Sequence, residues 1–168
     1  MSEAASKHRA AGPTEGRIAV LTVSDTRTVE SDASGRRIVE LAVAAGHVLV
    51  ERGLVRDDIE QIRRFVAGCA CRADVNALIV TGGTGLSPRD QTPEAIEPLW
   101  TKRLPGYGEL FRSLSHAQIG PACILSRAEA GLVGRLAVFT LPGSRTAVEL
   151  GMSAIILPEL THILGLIL

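Results

Sequence analysis

Short apolar runs alternate along the chain with longer segments whose apolar residues recur at helical spacing. The run Ile18–Val23 is rich in β-branched residues and ends at the polar pair Ser24 and Asp25. Such a run predicts a strand that is buried on both faces. Residues 47–55 predict a second strand, and residues 76–81 predict a third strand that is again buried.

Two segments between these strands have the spacing of amphipathic helices. In the first, Ser34 is the predicted cap, apolar residues recur from Ile38 at helical spacing, and Gly46 ends the segment. The second helix is predicted over Asp57–Ala70, where Asp57 can cap the first turn. Strands and helices therefore alternate, which predicts a mainly parallel sheet covered by helices on both faces.

The second half of the chain continues this pattern. Thr92, which is followed by a proline, predicts the start of a helix, and residues 105–109 predict a loop before a helix over residues 110–119. Residues 135–141 predict a last strand, and Pro158 is expected to kink or end the final helix. Because ligands of parallel sheets bind beyond the carboxyl ends of the strands, the polar residues that follow the strands are expected to line one crevice.

Length and composition narrow the choice of function. The chain has 168 residues, which is enough for one domain. Residues 1–16 are polar and predict a mobile N-terminal tail, which leaves residues 17–168 as the domain. The 18 basic and 18 acidic side chains cancel, and aromatic residues make up only 3%, so no binding of nucleic acid is expected.

No membrane span is expected, because the most apolar stretch, residues 155–168, is short for a bilayer and contains Glu159. Nothing at the N-terminus resembles a signal peptide. The protein is therefore expected to be cytoplasmic, with its cysteines reduced and packed as small apolar residues. These cysteines are Cys69, Cys71 and Cys123.

The segment Thr81–Gly85 carries the clearest chemistry. It follows a strand and precedes a helix, so its glycines can adopt positive φ and turn backbone N–H groups toward an anion such as phosphate. It is not a P-loop, because the lysine is missing, and it is not a dinucleotide fingerprint, because Pro88 stands where the third glycine is needed. A tight turn without a ligand is the alternative.

Acidic residues are expected close to this loop. Asp90 ends it, and a carboxylate beside a phosphate is unfavourable unless a cation such as Mg²⁺ lies between them. A surface ion pair with Arg89 is the alternative for Asp90. Asp57 and Asp25 follow strands, where helix capping is their alternative, and Ser24 could donate a hydrogen bond to a ligand.

Several motifs together resemble one family. The most specific is TGGTGLSPRDQTPE at residues 81–94, and the supporting matches are Thr22–Arg27, Asp32–Gly35, Pro105–Glu109, Leu125–Arg127 and Leu141–Ser144. With these motifs, residues 16–168 are similar to the molybdenum cofactor biosynthesis proteins of the MoaB/MogA type, which include the G domain of gephyrin. The segments 24–28 and 90–93 are more similar to the MoaB branch than to the MogA branch.

This resemblance implies a three-layer α/β/α sandwich and a homo-oligomer, trimeric or hexameric, that acts beside other molybdenum cofactor biosynthesis proteins. It implies binding of molybdopterin and, in active members, adenylation of its terminal phosphate with Mg-ATP and release of pyrophosphate. Asp57 and Asp90 match the two important acidic residues of the family and are the expected catalytic and metal-binding residues. The residues that match the binding pocket are Ser24, Asp25, Thr81, Gly82, Gly83, Thr84, Gly85 and Ser144.

Two other functions stay open at this point. A catalytically silent molybdopterin-binding or assembly protein would bind the pterin without magnesium dependence and without transfer of AMP. A nucleotide-binding Rossmann protein would need affinity for NAD(P), which the missing third glycine disfavours. Adenylyl transfer to molybdopterin is the expected reaction.

Overall fold

A six-stranded sheet runs through the part of the chain that the structure, a computed structural model, describes, which is residues 13–167. In chain order its strands are β1 (Arg17–Val23), β2 (Val48–Val55), β3 (Ala77–Thr81), β4 (Lys102–Arg103), β5 (Ala130–Val133) and β6 (Leu136–Leu141). They lie side by side in the order β2-β1-β3-β6-β5-β4. The first four in this order are parallel to one another, β5 pairs antiparallel with β6, and β4 pairs antiparallel with β5. The predicted α/β fold with a mostly parallel sheet is confirmed.

Helices cover both faces of this sheet. They are α1 (Ala33–Ala44), α2 (Ile59–Ala70), α3 (Thr92–Ile96), α4 (Pro105–Ile119), α5 (Arg145–Gly151) and α6 (Leu157–Ile167), with 3-10 turns at Glu97–Leu99 and Gly120–Leu125 and a π-turn at Met152–Ile156. The helices α1, α4, α5 and α6 pack on one face, and α2 and α3 pack on the other. The molecule therefore has three layers.

The central strands are buried on both faces, as their apolar runs predict. In β1, Ile18 and Val20 belong to the core under α1 and α4, whereas Ala19 and Leu21 belong to the core under α2. All four side chains are fully buried. Alternate residues of a strand point to opposite faces, so a continuous apolar run is what a strand between two helical layers requires.

The antiparallel edge was not predicted. The strand β4 has two exposed residues, which is too short for any alternation to be visible in the sequence. The strand β5 contains Gly131, whose close approach to β4 needs a glycine, since a Cβ there would lie 2.3 Å from the carbonyl oxygen of Lys102. Both strands are defined by their pairing rather than by their own composition.

The predicted cap of α1 is wrong by two residues. The cap is Asp32, whose Oδ1 accepts a hydrogen bond from the N–H of Gly35 at 2.9 Å. Ser34 lies inside the helix, and its Oγ donates to the carbonyl oxygen of Gly143 at 2.8 Å. The serine therefore connects the helix to a loop at the end of β6, which no local pattern could indicate.

Two further caps also differ from the prediction. Asp58, not Asp57, caps α2 by accepting from the N–H of Gln61 at 2.9 Å. Thr92 is the first residue of α3 rather than its cap, and its Oγ1 donates to the carbonyl oxygen of Gly82 at 2.9 Å. Asp57 is therefore left without a capping role and is available to the site.

The segment 105–109 is the first turn of α4 and not the predicted loop. Pro105 occupies the first position of the helix, where its missing N–H costs nothing and its fixed φ suits the helix. Gly108 permits close packing, since a Cβ there would lie 2.6 Å from the carbonyl oxygen of Ala128. Tertiary packing thus explains Gly108, which together with Gly106 suggested a loop.

The C-terminal helical run is longer than predicted. Pro158 neither ends nor interrupts it, because the wider π-turn at Met152–Ile156 precedes the proline and changes the helical register. The run Arg145–Ile167 has 23 residues and is long and apolar enough to cross a membrane, so the region is not too short for a span. Its Val148, Ile156 and other apolar residues pack in the core of the domain.

The predicted mobile tail, residues 1–16, falls mostly on residues 1–12, which lie outside the described residues. Gly16 is already part of the packed structure. Its N–H donates to Nδ1 of His47 at 3.0 Å, and its carbonyl oxygen accepts from the N–H of Val48 at 2.9 Å. Burial lowers the pKa of His47, which favours the neutral ring that this hydrogen bond requires.

Candidate functional site

The glycine loop after β3 lies between the ends of two neighbouring strands. The N–H of Gly82 donates to the carbonyl oxygen of Leu141 at the end of β6, at 3.0 Å. A Cβ on Gly82 would lie 2.2 Å from the carbonyl oxygen of Val23 at the end of β1. Gly82 and Gly83 have φ angles of +98° and +63°. Only glycine meets both demands, since its backbone adopts positive φ freely and takes up no side-chain space.

A cavity of about 420 Å³ lies beside this loop at the carboxyl end of the sheet. Its volume is typical of small-molecule sites. One wall is the loop with Asp90, and the loop after β6 contributes Ser144. The facing wall comes from α4 and the turn after it. The lining residues there are Phe111, Ser115, Ile119, Cys123, Leu125 and Ser126.

The backbone N–H groups of the glycine loop are the candidate groups for binding an anion. None of the hydrogen bonds between described residues uses the N–H of Gly83, Thr84 or Gly85, and all three residues line the cavity. Gly85 does not adopt positive φ, contrary to the expectation for all glycines of the loop. It is small for another reason, since a Cβ there would lie 2.8 Å from Oδ2 of Asp90. Of the glycines in this loop, only Gly82 and Gly83 thus have the positive φ that was expected.

Asp57 lies directly behind the loop. Its Oδ1 accepts from the N–H of Gln91 at 2.8 Å, and its Oδ2 would be 2.7 Å from a Cβ on Gly83. Burial, together with the nearby carboxylates of Asp90 and Asp25, raises the pKa of Asp57. Three carboxylates therefore concentrate negative charge at this end of the sheet, although Asp57 itself does not line the cavity.

Asp90 faces the cavity. Its Oδ2 accepts from the N–H of Ser87 at 2.9 Å, which closes the end of the loop. The alternative for Asp90, an ion pair with Arg89, is not formed, because Arg89 binds Asp25 instead, with Nε and Oδ2 3.0 Å apart. The hydrogen bond from Arg89 lowers the pKa of Asp25. Asp90 therefore keeps a carboxylate oxygen available to a ligand or a cation.

The described residues contain no group of three or more His, Cys, Asp or Glu side chains that could hold a metal ion by themselves. Mg²⁺ commonly binds through one or two carboxylates together with phosphate oxygens of the substrate. Asp57 and Asp90 fit that arrangement, because the charge of Asp90 contributes to the raised pKa of Asp57 and a cation between them would relieve this repulsion. The pair suits a metal that arrives with a phosphate.

Two predicted pocket residues, Ser24 and Asp25, bind neighbouring backbone and do not line the cavity. Ser24 accepts from the N–H groups of Thr26 and Arg27 at 3.3 and 3.2 Å, and it does not line the cavity. Asp25 does not line it either, and its Oδ1 accepts from the N–H of Asp57 at 3.3 Å. Both residues lie at the expected carboxyl end of the sheet, but outside the cavity.

The other two belong to the contact between neighbouring loops. Thr81 is buried, and its Oγ1 donates to the carbonyl oxygen of Pro142 at 3.1 Å. Ser144 lines the cavity and also caps α5, accepting from the N–H of Ala147 at 3.2 Å. The loop after β6 is thus fixed against the glycine loop, and a Cβ on Gly143 would lie 3.4 Å from Cα of Gly82.

A buried carboxylate holds this second loop from the N-terminal side. Asp32 is fully buried and accepts from Oγ1 of Thr22 at 2.6 Å and from Nη2 of Arg52 at 2.8 Å. Burial alone would raise its pKa, but these hydrogen bonds lower it. Arg27 lies 3.6 Å from Asp32 and donates to the carbonyl oxygen of Gly143 at 2.9 Å. The charge of Asp32 thereby supports one rim of the cavity.

Sequence reasoning missed the apolar wall of the cavity. Phe111 is buried at its base, whereas Ile119 and Leu125 are 57% and 53% exposed. The run IGPACIL at residues 119–125 was an available signal, since exposed apolar residues beside a polar loop often mark a binding surface. Arg127 was noticed only as part of a motif, and the structure shows that it contacts the glycine loop.

The thiols behave only partly as expected. Cys69 and Cys123 are buried, which confirms that they pack as small apolar residues, and Cys71 is exposed at the end of α2. Burial raises the pKa of Cys69 to about 11, so its thiol is unreactive at neutral pH. Cys123 lines the cavity and gives the apolar wall one soft, polarisable group.

Comparisons with known proteins agree with this architecture. A family model described as "Probable molybdopterin binding domain" matches residues 19–162. The chain is 46% identical over 163 residues to molybdenum cofactor biosynthesis protein B of Halalkalibacterium halodurans, and the match covers 96% of each protein.

Two solved structures have the same fold. A crystal structure of a molybdenum cofactor biosynthesis protein B superposes with a TM-score of 0.89 at 44% identity, over 92% of this chain and 97% of that chain. The molybdopterin biosynthesis enzyme MoaB from Thermus thermophilus superposes with a TM-score of 0.79 at 34% identity, over 89% of this chain and 94% of that chain. The similarity therefore extends over nearly the whole described chain.

Proposed function

Because the chain belongs to the MoaB branch of the MoaB/MogA family of molybdopterin-binding proteins, we propose that it adenylates the terminal phosphate of molybdopterin with Mg-ATP. The chain is a molybdenum cofactor biosynthesis protein with a molybdopterin-binding domain. The proposal concerns the reaction and the residues that perform it.

One observation carries the proposal. Gly83, Thr84 and Gly85, whose N–H groups bind no other described residue, line the same 420 Å³ cavity as Asp90 and an apolar wall. The N–H groups suit a phosphate, and the apolar wall suits a flat ring system. A pterin that bears a phosphate combines these two chemistries in one ligand.

The proposed step is an adenylyl transfer. An oxygen of the molybdopterin phosphate forms a bond to the α-phosphorus of ATP, and the bond from that phosphorus to the oxygen bridging to the β-phosphate breaks. AMP is transferred to the pterin phosphate, and pyrophosphate leaves with the electron pair of the broken bond. The loop N–H groups hold the pterin phosphate in position, which removes the entropic cost of bringing two anions together.

Asp57 and Asp90 are proposed to hold the metal of Mg-ATP. When bound, Mg²⁺ would neutralise the charge that develops on the pyrophosphate leaving group. Gln91 keeps Asp57 in place through its N–H, and Ser87 does the same for Asp90. These hydrogen bonds fix the two carboxylates before the substrates arrive, so little reorganisation is needed during the reaction.

Release of pyrophosphate from molybdopterin and Mg-ATP tests the proposal. Asp57→Asn and Asp90→Asn are each expected to lower kcat by about 10²-fold or more, as loss of a main electrostatic contact does in other enzymes. Asp58→Asn is the matched control, because Asp58 is the adjacent residue and its capping role can be filled by asparagine. Its kcat should equal that of the wild type.

The same assay separates the rival function. A silent binding or assembly protein would bind molybdopterin saturably, with the same affinity with and without Mg²⁺, and would release no pyrophosphate. That result would contradict adenylyl transfer and leave pterin binding intact. Measurable affinity for NAD(P) would instead favour a nucleotide-binding protein of the Rossmann type.

We also propose that the chain forms a homo-oligomer. Large apolar side chains are exposed on its surface, with Val29, Leu86 and Ile124 at 61%, 67% and 75%. These side chains would leave water if they were buried between copies of the chain. Light scattering should give a multiple of 17.7 kDa, and the mass of a single chain would contradict the proposal. The cytoplasmic location and the other biosynthetic partners stay predictions.

A further inference from the structure

We propose that Arg127 is a positioning residue of this site, which holds the glycine loop from outside the cavity and orients the groups that bind phosphate. Arg127 lies between the 3-10 turn Gly120–Leu125 and β5. Its predicted effect on turnover rests on the proposed function, whereas its effect on the order of the loop does not.

Three carbonyl groups of the loop lie within hydrogen-bonding distance of this single side chain. Nη2 of Arg127 donates to the carbonyl oxygens of Gly85 and Asp90 at 2.6 and 3.1 Å, and Nε lies 3.4 Å from that of Thr84. The backbone N–H of Arg127 also donates to the carbonyl oxygen of Thr84 at 3.3 Å. The guanidinium is planar and rigid, so one group links the start and the end of the loop.

Arg127 does not contact the ligand space itself. It lines a separate cleft of about 630 Å³ and is absent from the lining of the 420 Å³ cavity. On the cleft side its Nη1 is paired with Glu94 of α3, and its side chain is 27% exposed. Any influence of Arg127 on a ligand in the cavity therefore passes through the loop.

Because the peptide group is planar, a hydrogen bond to a carbonyl oxygen also fixes the direction of the next N–H. In a planar trans peptide the carbonyl and the next N–H point in opposite directions. Holding the carbonyl of Thr84 therefore fixes the direction of the N–H of Gly85, which lines the cavity. Holding the carbonyl of Asp90 fixes the N–H of Gln91, which binds Asp57. Arg127 thus positions the phosphate site through its backbone N–H and Nε, and a proposed metal ligand through Nη2.

Arg127→Lys separates this role from a purely electrostatic one. Lysine keeps the positive charge behind the loop, but its three donors lie on one nitrogen, so it cannot reproduce the contacts that Nε and Nη2 of Arg127 make at separate points of the loop. Hydrogen exchange of the amides of Asp90, Gln91 and Thr92 should become about tenfold faster, the change expected when a hydrogen bond from a charged donor is lost. Exchange in β3 should not change.

Two control variants make the exchange result decisive. Arg103 lines the same cleft and pairs with Glu97 and Glu129 without contacting the loop, so Arg103→Lys should leave loop exchange unchanged. Glu94→Gln removes only the ion pair of Arg127 and should also preserve protection. Wild-type protection in Arg127→Lys would overturn the proposal. Equal loss in Glu94→Gln and Arg127→Lys would also overturn it, because the ion pair would then be the cause.

Kinetics provide the second readout. With molybdopterin and Mg-ATP, Arg127→Lys should lower kcat/KM for pyrophosphate release by about tenfold or more, because charge without the fork does not restore the loop. Unchanged kcat/KM would overturn the inference. If the wild type releases no pyrophosphate, the proposed function fails, and the exchange experiment still decides the role of Arg127.

Discussion

One wall of the cavity is fixed by hydrogen bonds, whereas the other presents exposed apolar side chains. The loop Gly82–Asp90 is bound on several sides, by Arg127 at its carbonyl groups and by Thr92, whose Oγ1 and N–H contact Gly82 and Gly83. The wall formed by α4 and the following turn contributes Ile119 and Leu125, whose side chains are more than half exposed.

This difference indicates that the polar wall would orient a ligand and the apolar wall would bind it by burial. Polar groups lose much of their value if they must reorganise around a ligand, so the loop is fixed in advance. Apolar contacts have no direction and gain their energy by leaving water. The apolar wall can therefore stay exposed until a ligand, or another copy of the chain, covers it.

The largest expected effect is in the polar wall. Gly83→Ala would place a Cβ 2.4 Å from Oγ1 of Thr92 and 2.7 Å from Oδ2 of Asp57. Positive φ costs on the order of 1–2 kcal/mol and overpacking on the order of 1–3 kcal/mol. Urea unfolding should show both losses. Gly134→Ala, with φ of +61° and open space around it, should show only the first, and equal losses would contradict the comparison.

The apolar wall should behave in the opposite way. Ile119→Ser and Leu125→Ser should change the free energy of unfolding by less than about 0.5 kcal/mol, because both side chains are largely exposed. Molybdopterin affinity should fall about tenfold, since burying such a side chain contributes about 1.5–3 kcal/mol. Leu110→Ser, on the same helix but outside the cavity, is the control. Unchanged affinity in both wall variants would contradict a role in ligand binding.

A smaller effect concerns the carboxylates of the polar wall. Because the pKa of Asp57 is raised above its ordinary 3.8, the native state favours its protonated form. The stability that this proton binding contributes is fully present below pH 3.8 and is lost as the pH rises through the native pKa of Asp57. Asp90→Asn removes a neighbouring charge and should lower the pKa of Asp57. Carboxyl ¹³C shifts measured by NMR would show this, and an unchanged titration would mean that the two residues are not coupled.

The smallest effect is expected at the thiol of the apolar wall. Cys123→Ser places a hydroxyl where the ring of the ligand is expected and should weaken molybdopterin binding, with a stability loss of about 1 kcal/mol. Cys71→Ser is the matched control, because that thiol is exposed at the end of a helix and away from the cavity. Equal affinities of the two variants would show that Cys123 does not contact the ligand.

Local chemistry made much of the fold predictable. The buried runs of β1 and β3 and the amphipathic patterns of α1 and α2 were correct because each pattern is set by residues close together in the chain. The two-residue strand β4 could not be predicted, since it exists only through pairing with β5. That the helical run continues through Pro158 could not be predicted either, because the π-helical segment before the proline is not visible in local composition.

In the candidate site, too, features set by local sequence were predictable and contacts between distant residues were not. The sequence by itself determined the glycine loop, the acidic residue at its end and the family, because a turn with positive φ and an anion-binding loop need particular residues at fixed spacing. Only the tertiary structure decided that Ser24 serves its own turn, that Arg89 binds Asp25 and that Arg127 holds the loop. Those contacts join residues far apart in the chain, and long polar side chains can reach many partners until packing selects one.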